Sequence, residues 1–258
     1  GMEVAPDFID NQCLTRFTDK AIEWMSGKAA AAKDGKPFFV YLPYTSPHYP
    51  VCPLPEFHGK GDCGGYGEFV IETDYHIGRI LNFLSKSELD ENTMIVFSSD
   101  NGPENSWKQR IGDFGHHSNG QYRGGKRDIY EGGHRVPFFV RWPKGIFSPG
   151  REFSGLIGQT DLLATFAKIT GAPLPDNAGE DSHSFASVLK NPVSNFSRQP
   201  IISHGANGRF AITEGSMKLI MPHRKSGSEL YDLAADPAET KNLANRFPDR
   251  GFAMMEKL

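Results

Sequence analysis

From Thr18 to Gly171, short apolar runs alternate with stretches of helical period, and this alternation constrains the fold more than any other feature of the chain. Pro37-Phe-Phe-Val-Tyr-Leu42, Thr93-Met-Ile-Val-Phe97 and Val136-Pro-Phe-Phe-Val-Arg-Trp142 are nearly continuous apolar runs, the pattern of strands covered on both faces of a parallel sheet. Pro137 marks the third as a strand start or an edge. Thr18–Ala32 places Ala21, Ile22 and Met25 on one helical face behind an N-cap at Thr18 or Asp19. Glu68–Leu84 carries Val70, Ile77, Leu81 and Leu84 as one stripe. A third helix opens at Thr160/Asp161, runs through Ile169 and closes at Gly171, with Pro173 beyond. Strands alternating with helices predict a mostly parallel α/β sheet. Residues 43–67, with their prolines and glycines, and Glu104–Gly133, rich in Gly, His and Arg, are expected to be loops.

After Asn191-Pro192 the character changes. Residues 199–203, 209–213, 217–221 and 229–232 are short strand-like runs separated by turns, expected to form an antiparallel meander with a helix around 238–247. A boundary is expected near residue 195, with the α/β domain over 1–195 and a small antiparallel-sheet-plus-helix subdomain over 196–258.

Composition excludes several classes. The 258 residues hold 38% hydrophobic and 23% charged residues, enough for a real core. A net charge of −3 argues against a nucleic-acid binder driven by a basic surface. No apolar run reaches the roughly 18 residues of a membrane helix. Gly and Pro are frequent but not periodic, so a fibrous protein is out. Cys13, Cys52 and Cys63 make neither a disulfide framework nor a zinc cluster; there is room for one bridge at most, with Cys52 and Cys63 the candidate pair, and the odd thiol argues against a disulfide scaffold. Gly1-Met2-Glu3-Val4 has neither the basic nor the apolar region of a signal peptide, and Gly1 reads as the scar of a cleaved tag.

Open α/β sheets bind ligands beyond the carboxyl ends of their strands. Asp100-Asn101 follows the strand ending near Ser99, and a carboxylate beside an amide oxygen is a hard-oxygen pair suited to Ca²⁺ or Mg²⁺. On spacing alone, Asp-Asn-Gly-Pro is equally ordinary turn chemistry. His48, in Thr45-Ser-Pro-His-Tyr-Pro50, lies just past the strand 37–42. Lys126 sits among glycines in Arg123-Gly-Gly-Lys-Arg-Asp-Ile-Tyr-Glu-Gly-Gly133, where backbone can approach an anion closely and a compact cation suits a sulfate- or phosphate-like group. The P-loop spacing is absent. His116, His117 and His134 read as loop histidines near a polar site.

Taken together, Phe38–Pro50, Ser98–Pro103, Gly124–Gly133 and Leu230-Tyr-Asp-Leu-Ala-Ala-Asp-Pro-Ala-Glu-Thr-Lys-Asn-Leu243 resemble, in that order, motifs of the type I formylglycine-dependent sulfatases (arylsulfatases), over residues of about 15 to 250. The resemblance implies an alkaline-phosphatase-like fold, a mixed sheet between helices followed by a small antiparallel sheet with a C-terminal helix. It implies a sulfuric ester hydrolase acting on aryl or sugar sulfates. It also implies that Asp100 and Asn101 are two of four protein ligands to a catalytic Ca²⁺, and that His48 and Lys126 bind the sulfate group. Asn101 favours the single-metal sulfatases, because the two-metal phosphatases of the superfamily typically carry His there.

The family nucleophile, made from the Cys or Ser of C-x-P/A-S-R, has no match at Cys13-Leu-Thr-Arg-Phe, Cys52-Pro-Leu-Pro-Glu or Cys63-Gly-Gly-Tyr-Gly. The Asp pair that completes the metal shell is likewise unmatched. The chain therefore resembles the C-terminal portion of a sulfatase, and alone it is expected to show no significant activity. Self-association, or a partner carrying the N-terminal half, is expected to cover the bare sheet edge. Two other readings stay open: a non-catalytic remnant of the fold that binds an anion or a partner, and a phosphatase or phosphodiesterase of the same superfamily. The family is often periplasmic or secreted.

Overall fold

The computed structural model describes residues 7–191 and 196–257. The expected boundary near 195 falls at residues outside those described. The chain divides into two compact units, one of Gly1–Ile95, Gln109–His116 and Arg141–Lys144, the other of Val96–Lys108, His117–Val140 and Gly145–Leu258.

The first unit is built on α1 (Cys13–Lys33) and α2 (Gly64–Lys86). Thr18 is no cap: its hydroxyl turns back to the Leu14 carbonyl at 2.7 Å, so the helix begins before it. Ala21 and Met25 bury against Leu84 and Leu89, with Phe38, Val40, Leu42, Ile80 and Phe83 packed around them. The run 37–42 is extended but belongs to neither sheet. Only alternate residues pack; Phe39 is 69% and Tyr41 79% exposed, so the expected cover on both faces is on one. On α2 the inward face is Phe69, Glu72, His76 and Leu84, whereas Val70 and Leu81 point outward. The apolar stripe misjudged this face because two of its positions are polar and find partners inside: Glu72 Oε2 accepts the Leu54 N–H at 2.9 Å while its Oε1 is buried without a hydrogen bond, and His76 Nε2 lies 3.4 Å from Thr15 Oγ1.

In the second unit, β1 (Ile95–Ser98) pairs with β2 (Phe138–Arg141). The stretch expected to be one loop, 104–133, contains α3 (Trp107–Phe114), whose residues from Gln109 onward belong to the first unit, and the single turn α4 (Glu131–His134) of the second. α5 (Asp161–Thr170) ends as expected, with Gly171 at φ +71° closing it. A short α6 (Ala186–Lys190) follows. Then β3 (Ile201–His204), β4 (Phe210–Glu214), β5 (Met217–Ile220) and β6 (Glu229–Asp232) form the antiparallel meander. Ala211 and Ile220 bury with Ile129 and Tyr231 on one face, while Ile212, Leu219 and Leu230 bury with Met254 on the other.

The final helix is not at 238–247 but is α7, Pro248–Met255, with Pro248 in its first turn. Asp236 explains the shift. Its carboxylate accepts the N–H groups of Thr240 and Lys241, both at 2.8 Å, and the Thr240 hydroxyl at 2.9 Å, which turns the segment away from helical bonding. Among the described residues, no helix is long and apolar enough to cross a membrane.

Candidate active site

The turn leaving β1 is held from several sides within the second unit. Ser99 Oγ donates to the Asn101 carbonyl at 3.1 Å, and the Gln159 amide donates to Ser98 Oγ at 3.0 Å and to the Ser99 carbonyl. Asp100 Oδ1 accepts the Asn101 N–H at 2.9 Å, and Asn101 Nδ2 donates to the Gly102 carbonyl at 2.9 Å, so its amide oxygen is turned to the other side.

Gly102 then meets the glycine-rich loop backbone to backbone. Its N–H donates to the Gly133 carbonyl at 3.0 Å, and a Cβ at position 102 would stand 1.7 Å from the Gly132 carbonyl oxygen. Gly132 is as tightly held, since a Cβ there would lie 2.2 Å from the Gly124 oxygen. The Lys126 N–H donates to the Pro103 carbonyl at 2.8 Å. Side chains larger than hydrogen cannot occupy these crossings, so the two motifs, remote in sequence, form one backbone-locked corner. Asp100 and Asn101 directly precede Gly102 at this corner, and the Lys126 N–H is one of its backbone contacts.

Glu104 lies beside the same corner. Its carboxylate takes a 2.6 Å hydrogen bond from Arg127 Nη1, and Lys126 Nζ stands 4.0 Å from it. The Arg127 bond, with the Asn105 N–H, holds the Glu104 carboxyl down to about 2.

The loop is fastened to the meander by buried polar contacts. Lys218 Nζ stands 2.9 Å from Glu131 Oε1 and 3.0 Å from Glu239 Oε1. Arg123 stacks on the Tyr130 ring at 3.7 Å and donates to Tyr231 Oη at 3.2 Å. Glu229 accepts from Tyr231 Oη at 2.6 Å and pairs with Arg209 at 2.7 Å. Burial, then the bond to Glu229, pushes the Tyr231 hydroxyl well above its usual range.

His48 belongs to the first unit, on an exposed bend where its Nδ1 lies 2.6 Å from the Tyr49 carbonyl oxygen. The flanking chain is anchored by Tyr44 Oη to Thr18 Oγ1 and Ser46 Oγ to Thr73 Oγ1, both at 2.6 Å. The three cysteines are free thiols, and the candidate pair Cys52 and Cys63 is not bridged. Cys52 Sγ instead donates to the Pro50 carbonyl at 3.3 Å. Among the described residues no three His, Cys, Asp or Glu side chains gather as a metal-ligand group.

The sequence matches the Sulfatase family model over residues 6–172. This chain belongs to the sulfatase family. A second model, N-sulphoglucosamine sulphohydrolase C-terminal, matches residues 120–254. Among relatives of this sulfatase chain, an N-acetylgalactosamine-6-O-sulfatase of Bacteroides thetaiotaomicron is 35% identical over 83% of the chain and 45% of its own length. Human arylsulfatase A is 33% identical over 81% of the chain and 40% of its own length. A solved structure from work on the metabolism of multiple glycosaminoglycans by Bacteroides thetaiotaomicron superposes with a TM-score of 0.84 at 31% identity, covering 96% of this chain and 54% of that one. The fold class is therefore the alkaline-phosphatase-like fold of the sulfatases. The chain spans about half the length of the relatives it matches.

Sequence reasoning missed the contacts that hold this corner. Gln159 and Glu239 lie far along the chain from the loops they touch, and neither carries a signature of its own. The repeated glycine pairs were the readable signal, since Gly132-Gly133 and Gly124-Gly125 mark close backbone crossings.

Proposed function

We propose that this chain supplies part of the active site of a sulfuric ester hydrolase acting on sulfated sugars or aryl sulfates. Asp100 and Asn101 are two of the ligands of a Ca²⁺ ion, and Lys126 and His48 receive the sulfate group. The observation that carries this reading is the glycine lock, in which Gly102 and Pro103 bond to the Lys126-bearing loop and so couple a hard-oxygen pair to a lysine. A carboxylate and an amide oxygen suit Ca²⁺, which takes 6–8 oxygens, so two donors are a partial set. When bound, such an ion stabilises negative charge on the transferring sulfuryl oxygens. Lys126 would orient the ester and offset its charge, and Glu104, kept ionised by Arg127, tempers the local positive potential.

The substrate class rests on the sugar-sulfatase relatives, and the sulfatase reading is favoured over a phosphatase by Asn101 where a second metal would call for His. No Cys of this chain sits in a C-x-P/A-S-R segment, so this polypeptide by itself is expected to bind sulfate esters without turning them over. Titration calorimetry with 4-nitrophenyl sulfate tests the reading: Lys126→Ala and His48→Ala should each weaken binding about tenfold, a loss of about 1.4 kcal/mol. Equal binding by the variants, or steady hydrolysis by the chain alone, would contradict it.

A further inference from the structure

Glu239 is a glutamate in the left-handed region, with φ 53°, and its side chain is wholly buried. A non-glycine residue is strained there and persists only where its surroundings hold it. Those surroundings are the two stems of the Lys126 loop. Glu239 Oε2 accepts the Glu131 N–H at 2.7 Å, and the Glu239 carbonyl accepts from Arg123 Nη1 at 3.1 Å. Arg123 and Glu131 bracket Lys126, and the loop closes on itself where the Gly132 N–H donates to the Arg123 carbonyl at 2.7 Å. Glu239 therefore grips both stems from more than a hundred residues away.

Glycine or asparagine would meet the backbone requirement with less strain. A carboxylate does what they cannot. One oxygen takes the Glu131 amide while the other faces the Lys218 ammonium at 3.0 Å, and Lys218 in turn reaches Glu131 Oε1 at 2.9 Å. Lys218 is only 1% exposed, so its charge needs these partners. From this geometry we infer that Glu239 is a positioning residue, which sets the Arg123–Glu131 loop and thereby places the Lys126 ammonium for an incoming sulfate group. The grip on the loop stands on the distances; its last step, sulfate reception, rests on the role proposed for Lys126.

The test uses the full chain and two readouts: hydrogen exchange of amides in residues 123–133 against those in β4 and β5, and affinity for inorganic sulfate by titration calorimetry. Glu239→Gly keeps the backbone conformation and removes the carboxylate, whereas Glu239→Gln keeps an oxygen for the Glu131 amide. With Glu239→Gly, exchange at 123–133 is expected to accelerate about tenfold with β4 and β5 unchanged, and sulfate affinity to fall about tenfold. Glu239→Gln is expected to restore most of both. Unchanged exchange at 123–133, or an equal acceleration throughout the meander, overturns the inference. Should Glu239→Gly fail to fold, Arg123→Lys, which shortens the reach to the Glu239 carbonyl, reads the same loop, and unchanged exchange again overturns it. If the wild-type chain binds no sulfate, or Lys126→Ala binds it equally well, the role of Lys126 fails while the exchange comparison still decides the grip.

Discussion

At Gly102, the lack of a Cβ lets two backbone segments touch. Gly102→Ala puts a Cβ 1.7 Å from the Gly132 oxygen, a backbone atom that cannot swing aside, and is expected to destabilise the second unit by about 2–4 kcal/mol in urea denaturation. Gly78, inside α2, has open space where its Cβ would go, so Gly78→Ala is expected to stabilise by about 0.5–1 kcal/mol. Similar effects at the two positions would refute the lock. His76 carries a pH dependence. Burial, then the nearby Arg79 charge, holds its imidazole below the usual 6.5. The unfolded chain takes up a proton as pH falls below 6.5 while the folded chain resists, so stability is full above that pH and is lost as pH falls through the folded value. Urea midpoints should drop between about pH 7.5 and about pH 5.5, and His76→Gln should flatten that slope. Asp100, Asn101, His48 and Lys126 were open to nomination as candidates from the sequence because each sits in a short contiguous motif beside a strand or among glycines. Glu239 and Gln159 were not, because what defines them is a partner more than fifty residues distant.

Elements formed where local pattern and packing agreed. α5 and the four-stranded meander follow their sequence periods, and Gly171 ends the helix as its left-handed φ requires. The departures have specific causes: buried Glu72 and His76 turn α2, and the Asp236 carboxylate captures amides that a helix at 238–247 would have used. Asp161 shows how a helix start can carry tertiary weight. Its carboxylate, fully buried, pairs with Arg198 through two 3.0 Å bonds and accepts the Gly158 and His183 N–H groups at 2.8 and 2.9 Å. Asp161→Asn leaves Arg198 buried with its charge uncompensated and is expected to cost about 3–5 kcal/mol in chemical denaturation. A loss under about 1 kcal/mol would mean the pair behaves as a solvated surface bridge.

At the scale of the molecule, each unit exposes aromatic side chains on its extended segments. Phe39 and Tyr41 do so in the first, and Phe97 and Phe139, their rings 6.1 Å apart, in the second. Exposed apolar surface of this kind promotes association. Light scattering of the isolated chain is expected to report species larger than the 28.6 kDa monomer, and a monomer at all concentrations would contradict that expectation. The fold class was legible because four ordered motifs span most of the chain. Whether Asp100 and Asn101 form part of a Ca²⁺ site, as proposed above, is decided by calcium titration calorimetry on the wild type and Asp100→Ala. With two protein donors, weak binding is expected, with Kd on the order of 10⁻³ M, that disappears in Asp100→Ala. Binding that survives the substitution, or no binding by the wild-type chain, would contradict it.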